Sequence, residues 1–228
     1  MPLLVVIGYG PGNGHAIAQR FGREGWTIAL IGRNDDRLND GVELLATEGT
    51  TAHAFVSDAS DPAALQSTIA NIRDELGPIT SIALSAFRPV AVGDVLTADL
   101  QDVAHVFDIS VTGLLAAVQA ALDDLRAADG ASVLVVNGAL GLHDDNIDAY
   151  ATSFGGDGVA LECSAKTKLV GLLAARLRPD GVYVGEIVIN GSVTRAGEGI
   201  DPANIADRIW KMTQSRTETH VHIAHTDN

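Results

Sequence analysis

Residues 3–18 read LLVVIGYGPGNGHAIA, and the order of features in this stretch decides the fold. Residues 3–7 form an apolar, β-branched run of the kind that makes a buried strand. The glycine-rich segment 8–14 then turns the chain, and a helix is predicted to follow over residues 15–24. Strand, glycine turn and helix in this order predict the opening of a βαβ unit.

The same alternation of short apolar runs and longer amphipathic segments continues along the whole chain, which indicates a parallel sheet with crossover helices. Strands are predicted at 3–7, 27–31, 51–56, 79–84, 132–136, 182–189 and 220–224. Helices are predicted at 15–24, 35–47, 61–76, 102–127, 161–177 and 202–213. The sequence therefore predicts one α/β domain over residues 1–228, a doubly wound parallel sheet of about seven strands with helices on both faces.

The composition excludes several classes of partner. Acidic residues outnumber basic residues by 29 to 15, which gives the 228-residue chain a formal net charge of −14. This charge would repel a phosphate backbone or an anionic membrane surface, so we expect no nucleic-acid and no membrane partner. With 46% hydrophobic and 19% charged residues, the chain is too apolar to be disordered.

Two further features bear on the location of the protein. Cys163 is the one cysteine, so the chain cannot form an internal disulfide, and a reducing cytoplasm is the expected setting. The apolar N-terminal run lacks a basic lead and soon reaches glycines, so we interpret it as a strand rather than a signal sequence. We find no stretch of about 18 apolar residues, the length that would span a bilayer, and expect a soluble protein.

The glycine-rich turn has a chemical use. Glycines between a strand and a helix let the backbone approach a diphosphate closely, while unpaired N–H groups at the helix N-terminus point at its charge. Because residues 8–14 follow a strand and open a helix, we expect them to bind a dinucleotide. The alternative is a tight turn that serves only for packing.

Gly8, Gly12 and Gly14 have the spacing TGxxxGxG, which resembles the turn of the short-chain dehydrogenase/reductase family, with Ile7 in place of its threonine. Other landmarks follow in the family's order: Asp58 after the third strand, a long fourth helix, Lys166 with its apolar follow-on, and residues 189–194, which read INGSVT. The resemblance covers nearly the whole chain. It implies a Rossmann fold and an NAD(P)(H)-dependent oxidoreductase that interconverts a carbonyl and an alcohol on a small organic molecule.

The end of the second strand predicts which nicotinamide nucleotide is bound. A carboxylate there would bind the ribose hydroxyls and repel a 2′-phosphate, but this chain has Arg33 between Gly32 and Asn34. Arg33 could hold a 2′-phosphate with a forked pair of hydrogen bonds, so we predict NADP, with NAD as the alternative. It could instead be a solvated arginine beside the acidic residues 35 and 36. The resemblance assigns nucleotide contacts to Gly8, Tyr9, Gly12, Asn13, Gly14, Arg33, Asp58, Ala59, Ser85, Lys166, Gly191, Val193 and Thr194.

The family's catalytic residues are only partly present. The family uses a tyrosine as proton donor, a lysine four residues later that lowers the pKa of the tyrosine, and a serine that orients the carbonyl. Residues 162–166 read ECSAK, so Glu162 replaces the tyrosine and Lys166 is kept. Residues 136–139, VNGA, hold no hydroxyl, and Ser110 replaces the asparagine that is usual in the fourth helix.

Three interpretations of the chemistry stay open. In the first, the segment 140–160, a loop rich in Asp and Gly that is longer than in a typical family member, folds back so that Tyr150 or His143 serves as the acid. In the second, Glu162 acts as a base, which would favour isomerisation or elimination over hydride transfer. In the third, Glu162 and Lys166 form only a helical ion pair. With Ser110 included, the candidate catalytic residues are Lys166, Glu162, Tyr150 and Ser110.

A rival function is a catalytically silent nucleotide-binding protein or a partner subunit of an active homologue, because the family's catalytic serine, tyrosine and asparagine are missing. The resemblance implies a homodimer or homotetramer and a small-molecule substrate. Substrate contacts are expected from Phe87, Arg88, Tyr150 and the segment after Thr194. No metal is expected, because the histidines at 220, 222 and 225 have no carboxylate or cysteine placed with them.

Overall fold

One parallel sheet of seven strands forms the centre of the molecule. The computed structural model describes residues 1–87, 92–194 and 199–224. The strands are β1 (Leu3–Ile7), β2 (Thr27–Gly32), β3 (Ala52–Val56), β4 (Ser81–Leu84), β5 (Ser132–Gly138), β6 (Tyr183–Asn190) and β7 (His220–Ala224). Their order is β3-β2-β1-β4-β5-β6-β7, and every neighbouring pair runs parallel. The predicted doubly wound sheet is confirmed, and its strand order reverses between β1 and β4.

Helices cover both faces of this sheet. In the described ranges they are α1 (Asn13–Gly22), α2 (Asp35–Thr47), α3 (Pro62–Leu76), α4 (Leu100–His105), α5 (Leu114–Ala120), α6 (Leu122–Ala127), α7 (Asp145–Ser153), α8 (Asp157–Leu177) and α9 (Pro202–Ser215). The apolar layer on one face contains residues of α1, α2 and α9, and the layer on the other face contains residues of α3, α5 and α8.

The central strand β1 shows why the buried strands read as continuous apolar runs. All five of its residues are buried. Leu3, Val5 and Ile7 pack into one apolar layer, whereas Leu4 and Val6 pack into the other. Since side chains alternate between the two faces of a strand, a sheet with helices on both faces needs apolar residues at every position.

The prediction of one continuous helix over residues 102–127 is wrong. The structure divides this region into α4, a wide turn of π-helix at Asp108–Gly113, α5 and α6. Two hydroxyls bond to carbonyls four residues earlier in this turn, Ser110 Oγ to Val106 at 3.3 Å and Thr112 Oγ1 to Asp108 at 2.7 Å. Such back-bonding bends helices, and the turn departs from regular helix here.

The segment Leu100–Ala120 corrects the expectation that no stretch is apolar enough to cross a membrane. By length and composition alone, this segment is long and apolar enough to cross a membrane, with a mean hydropathy of 1.5. Its residues Leu114, Ala117 and Val118 are buried in the apolar layer that also contains α3 residues. The core helix of a soluble protein has the same properties, so length and composition alone are weak evidence for a membrane span.

The segment 140–160, predicted as a loop, contains the helix α7. Asp144 caps this helix, because its carboxylate accepts hydrogen bonds from Asn146 N at 2.9 Å and Ile147 N at 3.3 Å. The next helix, α8, starts at Asp157 rather than at residue 161. The capping aspartate was a usable signal, but the acidic composition of the segment favoured a loop in the sequence analysis.

Candidate active site

The glycine turn between β1 and α1 is shaped by close backbone contacts. Gly8 has a φ of +88°, and a Cβ at this position would lie 2.3 Å from the Cα of Ala86. At Gly14 a Cβ would lie 2.9 Å from the carbonyl oxygen of Gly8. Only glycine fits both positions without a shift of backbone. The space beside Gly10 and Gly12 is open, so the outer side of the turn is accessible.

A cavity of about 660 Å³ lies at the carboxyl ends of β1, β2 and β4, beside this turn. This is the point at which the strand order reverses, where ligands of open α/β sheets usually bind. The cavity is lined by several of the residues that the sequence analysis predicted: Gly8, Tyr9, Arg33, Asp58, Ala59, Ser85 and Phe87. The structure therefore brings together about half of the predicted nucleotide residues in one cavity.

The other predicted nucleotide residues do not line this cavity. Gly12, Asn13 and Gly14 form the cap and first turn of α1, where Asn13 Oδ1 is buried and has no hydrogen-bond partner within residues 1–87, 92–194 and 199–224. Residues 191–194 follow β6, and Thr194 N donates a hydrogen bond to Ile200 O at 3.1 Å. Arg88 and the segment 195–198 lie outside the described residues. His225 lies outside them too.

The wall of the cavity at the end of β2 is basic. Arg33 and Arg37 both line it, and neither forms an ion pair within the described ranges. Asn34 accepts a hydrogen bond from Arg37 N at 2.8 Å, which caps α2 and fixes this corner. Arg33 is exposed, as the alternative of a solvated arginine beside residues 35 and 36 also predicts. Sequence reasoning missed Arg37, although its position one helical turn after Arg33 was a signal.

Polar groups from β3 and the loop after it line the opposite part of the cavity. Asp58 Oδ1 accepts hydrogen bonds from Ser60 N at 2.9 Å and Ser60 Oγ at 2.7 Å. Ser57 also lines the cavity, and its buried hydroxyl has no hydrogen-bond partner among the described residues. A buried hydroxyl without a hydrogen-bond partner lowers the free energy of unfolding unless a ligand or a water molecule bonds to it. Ser57 is a second residue that the sequence analysis missed.

Glu162 and Lys166 form a sealed pair on α8. Their side chains are one helical turn apart, with Lys166 Nζ 3.3 Å from Glu162 Oε1. The Glu162 side chain is 1% exposed, and the Lys166 side chain is 4% exposed. Lys166 Nζ also lies 3.5 Å from the carbonyl oxygen of Val136 at the end of β5. Burial raises the pKa of the Glu162 carboxyl, and the positive charge of Lys166 partly opposes this rise. Neither residue lines the large cavity.

A second buried carboxylate, Glu186 on β6, lies close to the same stretch of α8. Its Oε2 accepts a hydrogen bond from Asn137 Nδ2 at 2.8 Å, and its Oε1 lies 2.7 Å from His220 Nδ1. Asn137 also donates to Cys163 O at 3.0 Å and Thr167 Oγ1 at 2.9 Å. This network ties β5, β6 and β7 to the helix that carries Lys166. Sequence reasoning missed it, although one glutamate within the apolar run of β6 was a signal.

The remaining candidate acids lie elsewhere. Tyr150 on α7 is 64% exposed, and its ring packs against Phe154 with centroids 5.1 Å apart. His143 lines a separate cavity of about 310 Å³ between α7 and α8. Ser110 is fully buried, and its hydroxyl bonds to a backbone carbonyl rather than facing a cavity. The structure does not bring Tyr150, His143 or Ser110 to the large cavity.

The sheet order, the glycine turn at the reversal point and the adjoining cavity define the chain as a Rossmann-type α/β domain. The sequence model of the family described as short chain dehydrogenase matches residues 3–195. The chain therefore belongs to the short-chain dehydrogenase family.

Curated relatives resemble the chain at moderate identity. Sulfoacetaldehyde reductase 2 of Chromohalobacter salexigens is 29% identical over 135 residues, which is 59% of this chain and 53% of the relative. 2-(S)-hydroxypropyl-CoM dehydrogenase 3 of Xanthobacter autotrophicus is 28% identical over 200 residues, which is 86% of this chain and 73% of the relative. The match to the first of these spans about half of that protein's length.

A solved structure supports the fold. The NADPH-bound short chain oxidoreductase of Pseudomonas aeruginosa PAO1, described as containing an atypical catalytic center, superposes with a TM-score of 0.84 at 18% identity. The superposition covers 97% of this chain and 95% of that protein. At this identity the likeness shows the shared fold.

Proposed function

We propose that the protein is an NADP(H)-dependent oxidoreductase that interconverts a carbonyl and an alcohol on a small organic molecule. The observation that carries this proposal is the cavity beside the glycine turn, where Arg33 and Arg37 form no ion pair within the described residues and where residues 32–34, at the end of β2, carry no carboxylate. The family membership and the dehydrogenase and reductase activities of the named relatives support it.

The residues of the cavity fit a dinucleotide with a 2′-phosphate. The close approach of Gly8 to Ala86 leaves the turn without side-chain bulk, so its backbone can lie against a diphosphate. Arg33 and Arg37 would hold the 2′-phosphate, because guanidinium groups bind phosphate with paired hydrogen bonds. The buried hydroxyl of Ser57, which has no partner in the part of the chain that the structure describes, would gain one from the nucleotide. NAD, which has no 2′-phosphate, would leave both arginines unpaired.

The catalytic assignment follows from what Lys166 and Glu162 can do. The nicotinamide supplies or accepts a hydride when the nucleotide is bound. Lys166 would hold the nicotinamide ribose with its buried ammonium group, as the family resemblance implies. Glu162 stands where the family has its tyrosine, and burial favours the protonated form of its carboxyl, so it can hold the proton that a carbonyl oxygen needs. Tyr150 and Ser110 are weaker candidates, because the exposed ring of Tyr150 packs against Phe154 and the Ser110 hydroxyl donates to a backbone carbonyl.

One observation favours a second candidate function. Glu162 and Lys166 are almost completely buried and are paired with each other, and neither lines the large cavity. A protein whose reactive side chains stay sealed would bind the nucleotide without turnover. It would then act as a nucleotide-responsive binding protein or as a partner subunit of an active homologue.

The experiment that tests the proposal is the consumption of NADPH with a panel of ketones and aldehydes. We expect turnover with at least one compound, loss of turnover in Lys166→Ala, and retention in Lys168→Ala, which changes an exposed lysine of the same helix. If NADPH raises the melting temperature but no compound is turned over, the silent binding protein is favoured. If NADPH does not raise the melting temperature, both nucleotide-dependent functions fail.

The assembly and location of the protein are part of the same proposal. From the family resemblance we propose a homodimer or homotetramer in the cytoplasm, with a small molecule as substrate and no nucleic-acid or membrane partner. Light scattering coupled to gel filtration would measure the mass of the particle, and a monomer would contradict the proposed assembly.

A further inference from the structure

A tyrosine and a histidine form a buried pair beneath the glycine turn. Tyr9 Oη lies 2.9 Å from His15 Nδ1, and the two rings meet edge to face with centroids 6.0 Å apart. Tyr9 is 8% exposed and His15 is 5% exposed. The hydrogen bond between these side chains is therefore shielded from water, on the side of the turn that faces the protein interior.

The backbone and the ring of Tyr9 have different surroundings. Its backbone N–H donates a hydrogen bond to Ile31 O at 2.9 Å, and the residue lines the large cavity. Its ring packs in the apolar layer with residues of α1 and α2. The ring lies against Gly41 of α2, where a Cβ would be 2.3 Å from a ring carbon. Tyr9 thus connects the wall of the cavity to two helices behind it.

Further contacts tie the glycine turn to Tyr9 and His15. His15 N donates a hydrogen bond to Gly10 O at 3.0 Å, so the histidine is tied to the turn through its backbone as well as its ring. Gly14 lies close to both Gly8 and Tyr9, because its Cβ would be 2.9 Å from Gly8 O and 3.1 Å from Tyr9 Cα. A displacement of the Tyr9 ring would therefore displace the backbone groups that face the cavity.

We infer that Tyr9 and His15 are positioning residues for nucleotide binding. Their hydrogen bond holds the glycine turn in the shape that receives a diphosphate, so affinity depends on a contact that does not touch the nucleotide. Holding a site in its bound shape before the ligand arrives lowers the cost of binding. This inference rests on the proposed nucleotide site, and it changes the predicted role of Tyr9 from a nucleotide contact to an internal anchor.

The test compares two buried tyrosines that each lose one hydroxyl. Tyr183 is 9% exposed and donates a hydrogen bond to Glu218 O at 2.6 Å, and it lies at the start of β6, at the opposite end of the sheet. In Tyr9→Phe we expect the Kd for NADPH, measured by calorimetric titration, to rise about fivefold, which corresponds to one ordinary hydrogen bond. In Tyr183→Phe we expect a change below about twofold, although both variants lose similar stability.

A rescue by a conservative variant separates positioning from general destabilisation. His15→Asn keeps a polar atom near the place of Nδ1, whereas His15→Leu removes it. We expect His15→Asn to bind NADPH within about twofold of the parent, and His15→Leu to lose affinity by about as much as Tyr9→Phe. In an active enzyme the loss should appear in KM for NADPH, with kcat unchanged.

Two outcomes would overturn the inference. Equal Kd values in Tyr9→Phe and Tyr183→Phe, or parent-like binding in His15→Leu, would show that the pair has no role beyond packing. These results would leave the proposed function standing. If the parent protein bound neither NADPH nor NADH, the proposed function and this inference would fail together.

Discussion

Two regions at the carboxyl edge of the same sheet differ in whether their polar groups face a cavity or pair with each other. Beside β1 and β2, Arg33, Arg37 and Ser57 face a cavity of about 660 Å³ and have no ionic partner within the described residues. Beside β5 and β6, Glu162 and Lys166 are sealed and paired with each other. The first region leaves polar groups available to a ligand, whereas in the second the opposite charges of Glu162 and Lys166 pair with each other.

The difference separates nucleotide binding from catalysis in this chain. The proposed binding region has the glycine turn and two arginines, whereas the predicted alignment puts a carboxyl, that of Glu162, in place of the family's tyrosine. A buried carboxyl beside a lysine can transfer a proton only if the pair opens to the substrate. Experiments that perturb one region and leave the other intact therefore show whether the two still work together.

The largest effect is expected from Lys166→Met. This change removes the positive charge and leaves the Glu162 carboxyl buried without its ionic partner. Breaking a buried ion pair in this way costs about 3–5 kcal/mol of unfolding free energy. Urea denaturation of the parent and the variant measures the difference. The exposed Lys168→Met serves as control, and an equal loss in both variants would contradict the coupling of Glu162 to Lys166.

The next effect is expected from Gly8→Ala. The new Cβ would meet the Ala86 backbone at 2.3 Å, and the positive φ adds strain. Gly25 has a φ of +81° but open space around it, so Gly25→Ala introduces the strain alone. We expect Gly8→Ala to be less stable than Gly25→Ala by about 1–3 kcal/mol, the cost of overpacking.

NADPH binding should also be lost in Gly8→Ala and kept in Gly25→Ala. Binding that survives in Gly8→Ala would contradict the placement of the diphosphate against this turn. Thermal unfolding with and without NADPH measures stability and binding on the same samples.

A smaller effect is expected from the two arginines of the cavity. Arg33→Ala and Arg37→Ala should each weaken NADPH binding by about tenfold, because a charge-assisted hydrogen bond is lost in each. NADH binding should change little, since NADH lacks the 2′-phosphate. Arg23→Ala, which changes an exposed arginine outside the cavity, is the matched control. Equal losses of affinity for NADPH and NADH would show that the arginines contact a part of the nucleotide other than the 2′-phosphate.

The smallest effect is a pH dependence that Glu162→Gln should remove. Burial raises the pKa of Glu162 above 4.5, so the folded state holds this proton more tightly than the unfolded state does. The stability that this difference contributes is fully present below pH 4.5 and is lost as the pH rises through the raised pKa. In denaturation curves measured across this range, the stability advantage of the parent over Glu162→Gln should shrink as the pH rises. Parallel pH profiles for the two proteins would contradict the assignment.

The sequence predicted the sheet well because local patterns determine it. The run at residues 3–7 is apolar on both faces, and the structure places β1 at those residues. The glycines of the turn and Arg33 were visible as a motif at a strand end. The structure confirms the fold that these signals predicted.

Features that depend on distant neighbours could not be predicted in the same way. The inward orientation of Tyr9 depends on the missing side chain at Gly41, which lies on another helix. The contact of Glu186 with Asn137 joins two strands that are far apart in the chain. The sealed state of Glu162 depends on tertiary packing, and no spacing of residues in α8 indicates it.

The most direct test of the central claim is a calorimetric titration of the parent protein with NADPH and with NADH. The cavity beside the glycine turn predicts saturable binding of NADPH that is tighter than that of NADH, with the preference reduced in Arg33→Ala. Absence of binding for both nucleotides at millimolar concentration would contradict the claim.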